Sequence, residues 1–180
     1  MKAFISYSHK DESYLERLHT HLATLRRAGD LLVWFDREIL AGDPLDQKIM
    51  DQLDECALFI ALVSPDFLNS NYCYEKEMQY ALEKHASGKT RVVPIILEPC
   101  DWTSTPLGNL KALPKDGKPI AEWQNQNTAF LDVIKGLRRV LSPPPRTNDT
   151  TTLANTESGS TGSGRYRIKK TFDEIERQDL

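Results

Sequence analysis

Glu77 is the residue of this chain whose position most clearly suggests chemistry. It follows the apolar run 57–63 and lies in a helix-like segment that ends near residue 85. In folds of alternating strands and helices, ligand-binding groups collect just beyond the carboxyl ends of the strands. Glu75 lies on the other flank of the same helix, where the helix dipole favours a surface acid. The dipole also favours an acid at position 77, so other features must separate a functional Glu77 from a merely structural one.

Alternating strand-like and helix-like segments predict the elements that position Glu77. The strand-like runs are 3–8, 31–36, 57–63 and 91–97, with a short one at 118–120. Helical apolar spacing occurs at 15–25, 45–55, 74–85 and 128–141. The run 57–63 is apolar at every position, as expected for a central parallel strand that is covered on both faces. We therefore expect an α/β protein with a flavodoxin-like open parallel sheet of four to five strands and helices on both faces.

The composition argues against several classes of function. The chain has 180 residues and a net charge of −3, which suits one domain with a core and an appendage. Its basic residues are interleaved with acids, so we expect no direct binding of nucleic acid. It has no run of about 18 apolar residues and begins with a strand rather than a leader, so we expect a cytoplasmic protein without a membrane segment. Its three cysteines lack metal-ligand spacing, and we expect no metal site.

The chain divides into a folded part and a polar C-terminal part. One domain is expected over residues 1–142, ending where three consecutive prolines begin. Residues 143–164 are rich in Thr, Asn, Ser and Gly and predict a flexible linker that cannot bury a core. Residues 165–180 have a basic start and an acidic finish and are too short to fold alone. The sequence leaves open whether they are a peptide tail or the start of a missing C-terminal domain.

A series of short motifs follows the predicted strands. Residues 4–8 read FISYS, residues 34–36 read WFD before a loop that contains Gly42, and residues 62–65 read LVSP. The sequence EMQYAL begins at Glu77. Further motifs are VPII at 93–96 with Trp102, and LPKDGKP at 113–119. Together, over residues 1–141, these motifs resemble the Toll/interleukin-1 receptor (TIR) domain family in its bacterial form, including its opening box and its BB loop.

The resemblance implies a domain that self-associates and, in many bacterial members, cleaves NAD at the bond between nicotinamide and ribose. The EMQYAL match implies that the catalytic carboxylate of such members corresponds to Glu77 and not to Glu75. A single carboxylate suits this reaction. Glycosidases need a second carboxyl group to protonate the leaving oxygen. In NAD the nicotinamide nitrogen already carries the positive charge, so nicotinamide departs as a neutral molecule without a proton donor. A fixed ionised carboxylate then stabilises the positive charge that develops on the ribose.

The resemblance also implies a set of residues that contact NAD. They are Phe4, Tyr7, Ser8, His9, Asp36, Leu40, Gly42, Tyr72, Cys73 and Tyr74. Several keep a structural alternative: the aromatic residues of the first strand suit a core, Asp36 suits a loop cap, and His9 suits a solvated loop. Some NAD-cleaving members carry arginine in place of Ser8 and His9, and the tryptophan of the family's Trp-Cys pair is absent before Cys73.

Two hypotheses follow from the sequence. The first is an NAD+ glycohydrolase of bacterial antiphage immunity, with Glu77 as catalytic residue, NAD+ as substrate and no cofactor. Association of TIR domains, driven by a missing C-terminal sensor domain, would activate it. The alternative is a non-catalytic module for TIR–TIR interaction, either a scaffold or a mimic of host signalling.

Overall fold

The computed structural model describes residues 1–35, 45–70 and 72–142, without the side chains of residues 45, 46 and 72–74. The described residues all belong to one compact unit, Met1–Pro144. The predicted linker at 143–164 and tail at 165–180 lie outside the described residues, and the boundaries proposed for them stay predictions.

Four parallel strands form the sheet of the described part, in the order β2-β1-β3-β4. The strands are β1 (Lys2–Ser6), β2 (Leu32–Trp34), β3 (Leu58–Val63) and β4 (Arg91–Ile96). The pairing of β1 with β3 places Ser6 opposite Ala61, so the carboxyl ends of the two central strands lie at one edge of the sheet. This topology confirms the predicted α/β class with a flavodoxin-like open parallel sheet.

The central strand β3 shows why helices must cover both faces of the sheet. All six of its residues are buried. Leu58, Ile60 and Leu62 join one hydrophobic cluster, and the alternate residues join another. The first face is covered by α1 (Glu12–His21), α2 (Ala23–Arg27) and α6 (Gln126–Leu141), and the second by α3 (Leu45–Glu55), α4 (Pro65–Asn69) and α5 (Gln79–Ala86). Each large apolar side chain buried here contributes roughly 1.5–3 kcal/mol.

The leucine stripe predicted from helical spacing packs against the sheet. Its members are Leu15, Leu18, Leu22 and Leu25, and all four are buried. Leu22 joins α1 to α2 without leaving the helical region of backbone conformation. Gly29 follows with a φ of 74° and ends the helical segment, as expected for a glycine after a helix. None of the helices in the described residues combines the length and apolarity needed to cross a membrane.

An irregular segment, rather than a fifth regular strand, covers the outer edge of β4. Leu113 forms an isolated parallel bridge with Ile95, and its backbone N–H donates to the carbonyl of Pro94 at 2.9 Å. The strand predicted at 118–120 is wrong, because Pro119 has no N–H to donate and the chain continues into a 3₁₀ turn. The 3₁₀ turns of this segment are Trp102–Ser104, Pro106–Asn109, Lys115–Gly117 and Ile120–Glu122.

Candidate functional site

The chain segment after β3 builds the site at the carboxyl edge of the sheet. Ser64 directly follows the strand and caps α4, because its hydroxyl accepts a hydrogen bond from the backbone N–H of Phe67 at 3.0 Å. After α4 the chain winds as a π-helix over Tyr72–Met78 and then continues as α5. The wider winding of a π-helix is rare and occurs often at functional sites. Glu77 lies at the end of this π-helix.

The two candidate acids of this segment have opposite environments. Glu77 is only 5% exposed, whereas Glu75 is exposed. The hydroxyl of Ser6, the last residue of β1, donates a hydrogen bond to Oε2 of Glu77. A buried carboxylate needs such donors because burial removes the water that would otherwise solvate it. The structure therefore separates the two glutamates, and Glu77 is the one held inside the protein.

Ser6 was not among the site residues predicted from the sequence. It belongs to an apolar strand and is 1% exposed, so a polar side chain at this position needs a partner. The sequence carries a signal for it, since side chains alternate along a strand and Ser6 shares a face with Phe4. Phe4 packs in the same cluster as Met78, the neighbour of Glu77. Alternation predicts the face, but only the fold brings Glu77 to it.

A second serine–carboxylate pair lies at the same edge of the sheet. The hydroxyl of Ser64 donates to Oδ2 of Asp11 at 2.5 Å, and Asp11 is 4% exposed. Burial raises the pKa of Asp11 above its ordinary value, the Ser64 hydrogen bond opposes this rise, and the negative charges of Glu98 and Asp66 add to it. The pair ties the turn after β1 to the start of α4.

The predicted contact residues of the first strand and its loop differ in exposure. Phe4 is buried and stacks on Phe59, with ring centroids 5.7 Å apart, so its ring belongs to the core. Tyr7 is also buried and packs edge-on against the exposed His9, at a centroid distance of 5.6 Å. Ser8 is half-buried, and its hydroxyl accepts from the backbone N–H at position 10. Of these four, Ser8 and His9 reach the surface.

The side chains of the other predicted contact residues lie outside the described part of the structure. Asp36, Leu40 and Gly42 lie outside the described residues. Tyr72, Cys73 and Tyr74 lie on the π-helix that also carries Glu77, and their side chains lie outside the described part. Their roles therefore stay predictions, although the backbone places all three within two turns of Glu77 along the same helix.

An open cavity of about 790 Å³ lies elsewhere at this end of the domain. Its polar lining includes Tyr14, Arg17, Glu98 and Asn127, but neither Glu77 nor Ser6. We therefore do not assign it to the site. Within the described residues, no group of three or more His, Cys, Asp or Glu side chains is arranged to hold a metal ion.

Comparison with known proteins identifies the family of this chain. The profile described as TIR domain matches residues 3–129, which is most of the chain. The chain belongs to the TIR-domain family. Its TIR domain is 44% identical over 144 residues to the uncharacterized protein y4lF of Sinorhizobium fredii, and the match covers 80% of this chain and 45% of that protein.

A second sequence relative is more distant. Toll-like receptor 4 of Pinctada imbricata is 25% identical over 143 residues, with 78% of this chain and 16% of the receptor covered. The chain thus spans less than half the length of either sequence relative.

Two solved structures confirm the fold of the domain. The TIR domain of the Toll-related receptor TRR-2 from Hydra magnipapillata superposes with a TM-score of 0.54 at 22% identity, covering 76% of this chain and 97% of that one. The TIR domains of the activated Roq1 resistosome, which recognizes the pathogen effector XopQ, give 0.60 at 14% identity, covering 76% and 98%.

Proposed function

We propose that this TIR domain is an NAD+ glycohydrolase of bacterial antiphage immunity, with Glu77 as its catalytic residue. The observation that carries the proposal is the buried carboxylate of Glu77 at the carboxyl edge of a parallel sheet, held by the hydroxyl of Ser6. Ligands of open α/β sheets bind at this edge. The π-helix that presents Glu77 is a second feature typical of functional sites.

The proposed reaction needs one fixed negative charge. The bond between C1′ of the ribose and the nicotinamide nitrogen breaks, and its electron pair stays on nicotinamide, which leaves as a neutral molecule. Positive charge then develops on the ribose ring, and the Glu77 carboxylate stabilises it. Water adds to C1′ and loses a proton to give ADP-ribose, or a nucleophile of the substrate itself adds to give a cyclic isomer. NAD+ is the substrate, and the proposal includes no cofactor or metal.

The low exposure of Glu77 supports activation by self-association. A ribose cannot lie against a carboxylate that is 5% exposed unless the segments around it move. Contacts with a second TIR domain can favour such a rearranged state, and a state that is rarely populated in one domain binds substrate weakly. The Roq1 TIR domains belong to an assembled resistosome. We therefore propose that other copies of this TIR domain, gathered through a C-terminal sensor domain, complete the site.

The alternative function is TIR–TIR interaction without catalysis, as a scaffold or a mimic of host signalling. The observation that favours it is the half-buried Ser8 and exposed His9 in the loop beside the site. At these positions some NAD-cleaving TIR domains carry arginine, a residue suited to the phosphates of a dinucleotide. In the alternative, Glu77 and Ser6 only join β1 to the π-helix.

The deciding experiment measures nicotinamide release by chromatography. The full chain is incubated with NAD+ over a wide range of protein concentrations, because dilute domains stay unassembled. Glu77→Gln keeps the size of the side chain and an oxygen that accepts from Ser6, but removes the charge. Glu75→Gln is the matched control, since it changes an exposed acid on the same helix.

The expected result is release by the wild type that rises faster than linearly with protein concentration. Glu77→Gln abolishes the release while its circular dichroism stays unchanged, and Glu75→Gln retains it. A folded Glu77→Gln protein that releases nicotinamide at the wild-type rate would remove Glu77 from the mechanism. Absence of release at every concentration, together with self-association by light scattering, would favour the interaction module.

A further inference from the structure

Three properties of Ser6 bear on the position of the Glu77 carboxylate. It ends β1, it is 1% exposed, and its hydroxyl is directed at the carboxylate of Glu77. An ionised carboxylate can only accept hydrogen bonds, so the serine must be the donor while Glu77 carries its charge. The bond therefore favours one protonation state of Glu77 and one direction of its side chain.

The strand gives Ser6 a rigid base. β1 pairs with β2 on one side and with β3 on the other, and Ser6 itself is in register with Ala61. Two residues earlier on the same face, Phe4 packs against Trp34 and Phe59, with centroid distances of 5.1 and 5.7 Å. A short hydroxyl side chain on a strand fixed in this way has little freedom, whereas Glu77 has a long side chain on a helix. The fixed partner therefore orients the flexible one.

We propose that Ser6 is the positioning residue of the NAD-cleaving site and holds the Glu77 carboxylate ionised and aimed at the substrate. This inference rests on the proposed function. It assigns no contact between Ser6 and NAD+, because Ser6 acts through Glu77. Catalysis by electrostatic stabilisation depends on charges that are already oriented before reaction, and a carboxylate that must reorient loses that advantage.

A purely structural role for Ser6 predicts different consequences. If the hydrogen bond only fastens β1 to the π-helix, its loss lowers the folded fraction and nothing else. If Ser6 positions the carboxylate, its loss lowers kcat of the folded protein and leaves KM nearly unchanged. It also moves the acid limb of the pH–rate profile to higher pH, because a hydrogen bond to the ionised form is lost.

The test compares Ser6→Ala with Ser6→Thr and Ser64→Ala in the full chain. Ser6→Thr keeps a hydroxyl at the end of β1. Ser64→Ala is the matched control, because Ser64 is another buried serine that donates to a carboxylate at the same edge, that of Asp11. We expect Ser6→Ala to lower kcat about tenfold and to move the acid limb up by about one pH unit, as for one lost hydrogen bond to a charge. We expect Ser6→Thr to keep most of the wild-type kcat and the wild-type acid limb. We expect Ser64→Ala to change neither the kcat per folded molecule nor the acid limb.

A second measurement does not depend on activity. The ¹³C resonances of labelled glutamate side chains give the titration midpoint of Glu77, assigned by its absence in Glu77→Gln. The midpoint moves to higher pH in Ser6→Ala. Because Asp11 also titrates at this edge, the comparison is repeated in an Asp11→Asn background.

The outcomes separate the two proposals. Wild-type kcat, pH profile and Glu77 midpoint in a folded Ser6→Ala protein would overturn the role of Ser6 while leaving NAD cleavage in place. Undiminished cleavage by folded Glu77→Gln would instead remove Glu77 from the mechanism, and absence of cleavage by the wild type at every concentration would overturn the proposed function, whatever Ser6→Ala does to the midpoint.

Discussion

The hydroxyl of Ser64 donates a hydrogen bond at 2.5 Å to Oδ2 of Asp11, which lies 53 residues earlier in the sequence. The same oxygen accepts from the backbone N–H of Phe67 at 3.0 Å and so caps α4. Ser64 has no exposed surface and Asp11 almost none. One side chain therefore satisfies a helix end and a buried carboxyl group together.

Ser64→Ala should destabilise the domain by about 1–3 kcal/mol. The substitution removes a helix cap and also leaves the Asp11 carboxyl group without its hydroxyl donor. Urea unfolding followed by circular dichroism measures the effect. Ser87→Ala is the control, because that hydroxyl is exposed at the end of α5 and should cost less than about 0.5 kcal/mol. Equal unfolding midpoints for the wild type and Ser64→Ala would contradict this assignment.

The stability difference between the wild type and Asp11→Asn should depend on pH. Burial raises the pKa of Asp11 above its ordinary value of 3.8, with smaller contributions from Glu98 and Asp66, against the opposing effects of Ser64 and Lys10. The folded state therefore binds the proton more tightly than the unfolded state does. The contribution of Asp11 to the free energy of unfolding of the wild type therefore increases as the pH falls through the folded pKa toward 3.8. It is lost as the pH rises through the folded pKa.

Asn does not titrate, so the comparison isolates this one group. The free energy of unfolding of the wild type minus that of Asp11→Asn should increase as the pH is lowered from 7 toward 4, in a series of urea titrations. A difference that stays constant, or that decreases on acidification, would show that Asp11 is not desolvated in the folded state.

Gly117→Ala should cost more stability than Gly88→Ala. Both glycines have a positive φ, 69° and 73°, so both substitutions carry the same backbone penalty of roughly 1–2 kcal/mol. A Cβ at Gly117 would lie 2.7 Å from Cζ2 of Trp102, whereas a Cβ at Gly88 would meet no atom within 4 Å. The additional cost at Gly117, about 1–3 kcal/mol from overpacking, is read from chemical unfolding. Equal losses would mean that the Trp102 ring moves aside freely.

Local patterns in the sequence predicted much of the fold, because the buried residues of a regular helix or strand recur at a fixed spacing. The uninterrupted apolar run of β3 required cover on both faces, and the leucines of the first helical segment required one buried face. The pattern failed at 118–120, where an apolar residue after Pro119 belongs to a 3₁₀ turn. Buried side chains in an irregular segment do not recur at a fixed spacing, so a short apolar run in such a segment resembles a strand.

The sequence by itself determined the parallel α/β fold and the family, because periodicity and motif order are read directly along the chain, and the catalytic role of Glu77 rather than Glu75 stays a prediction. Only the tertiary structure decided how Glu77 is held. It showed that Glu77 is buried, that a π-helix carries it, and that it accepts a hydrogen bond from Ser6, 71 residues away in sequence. Strand pairing and helix packing set the distance between such residues, and no local pattern in the sequence specifies that distance.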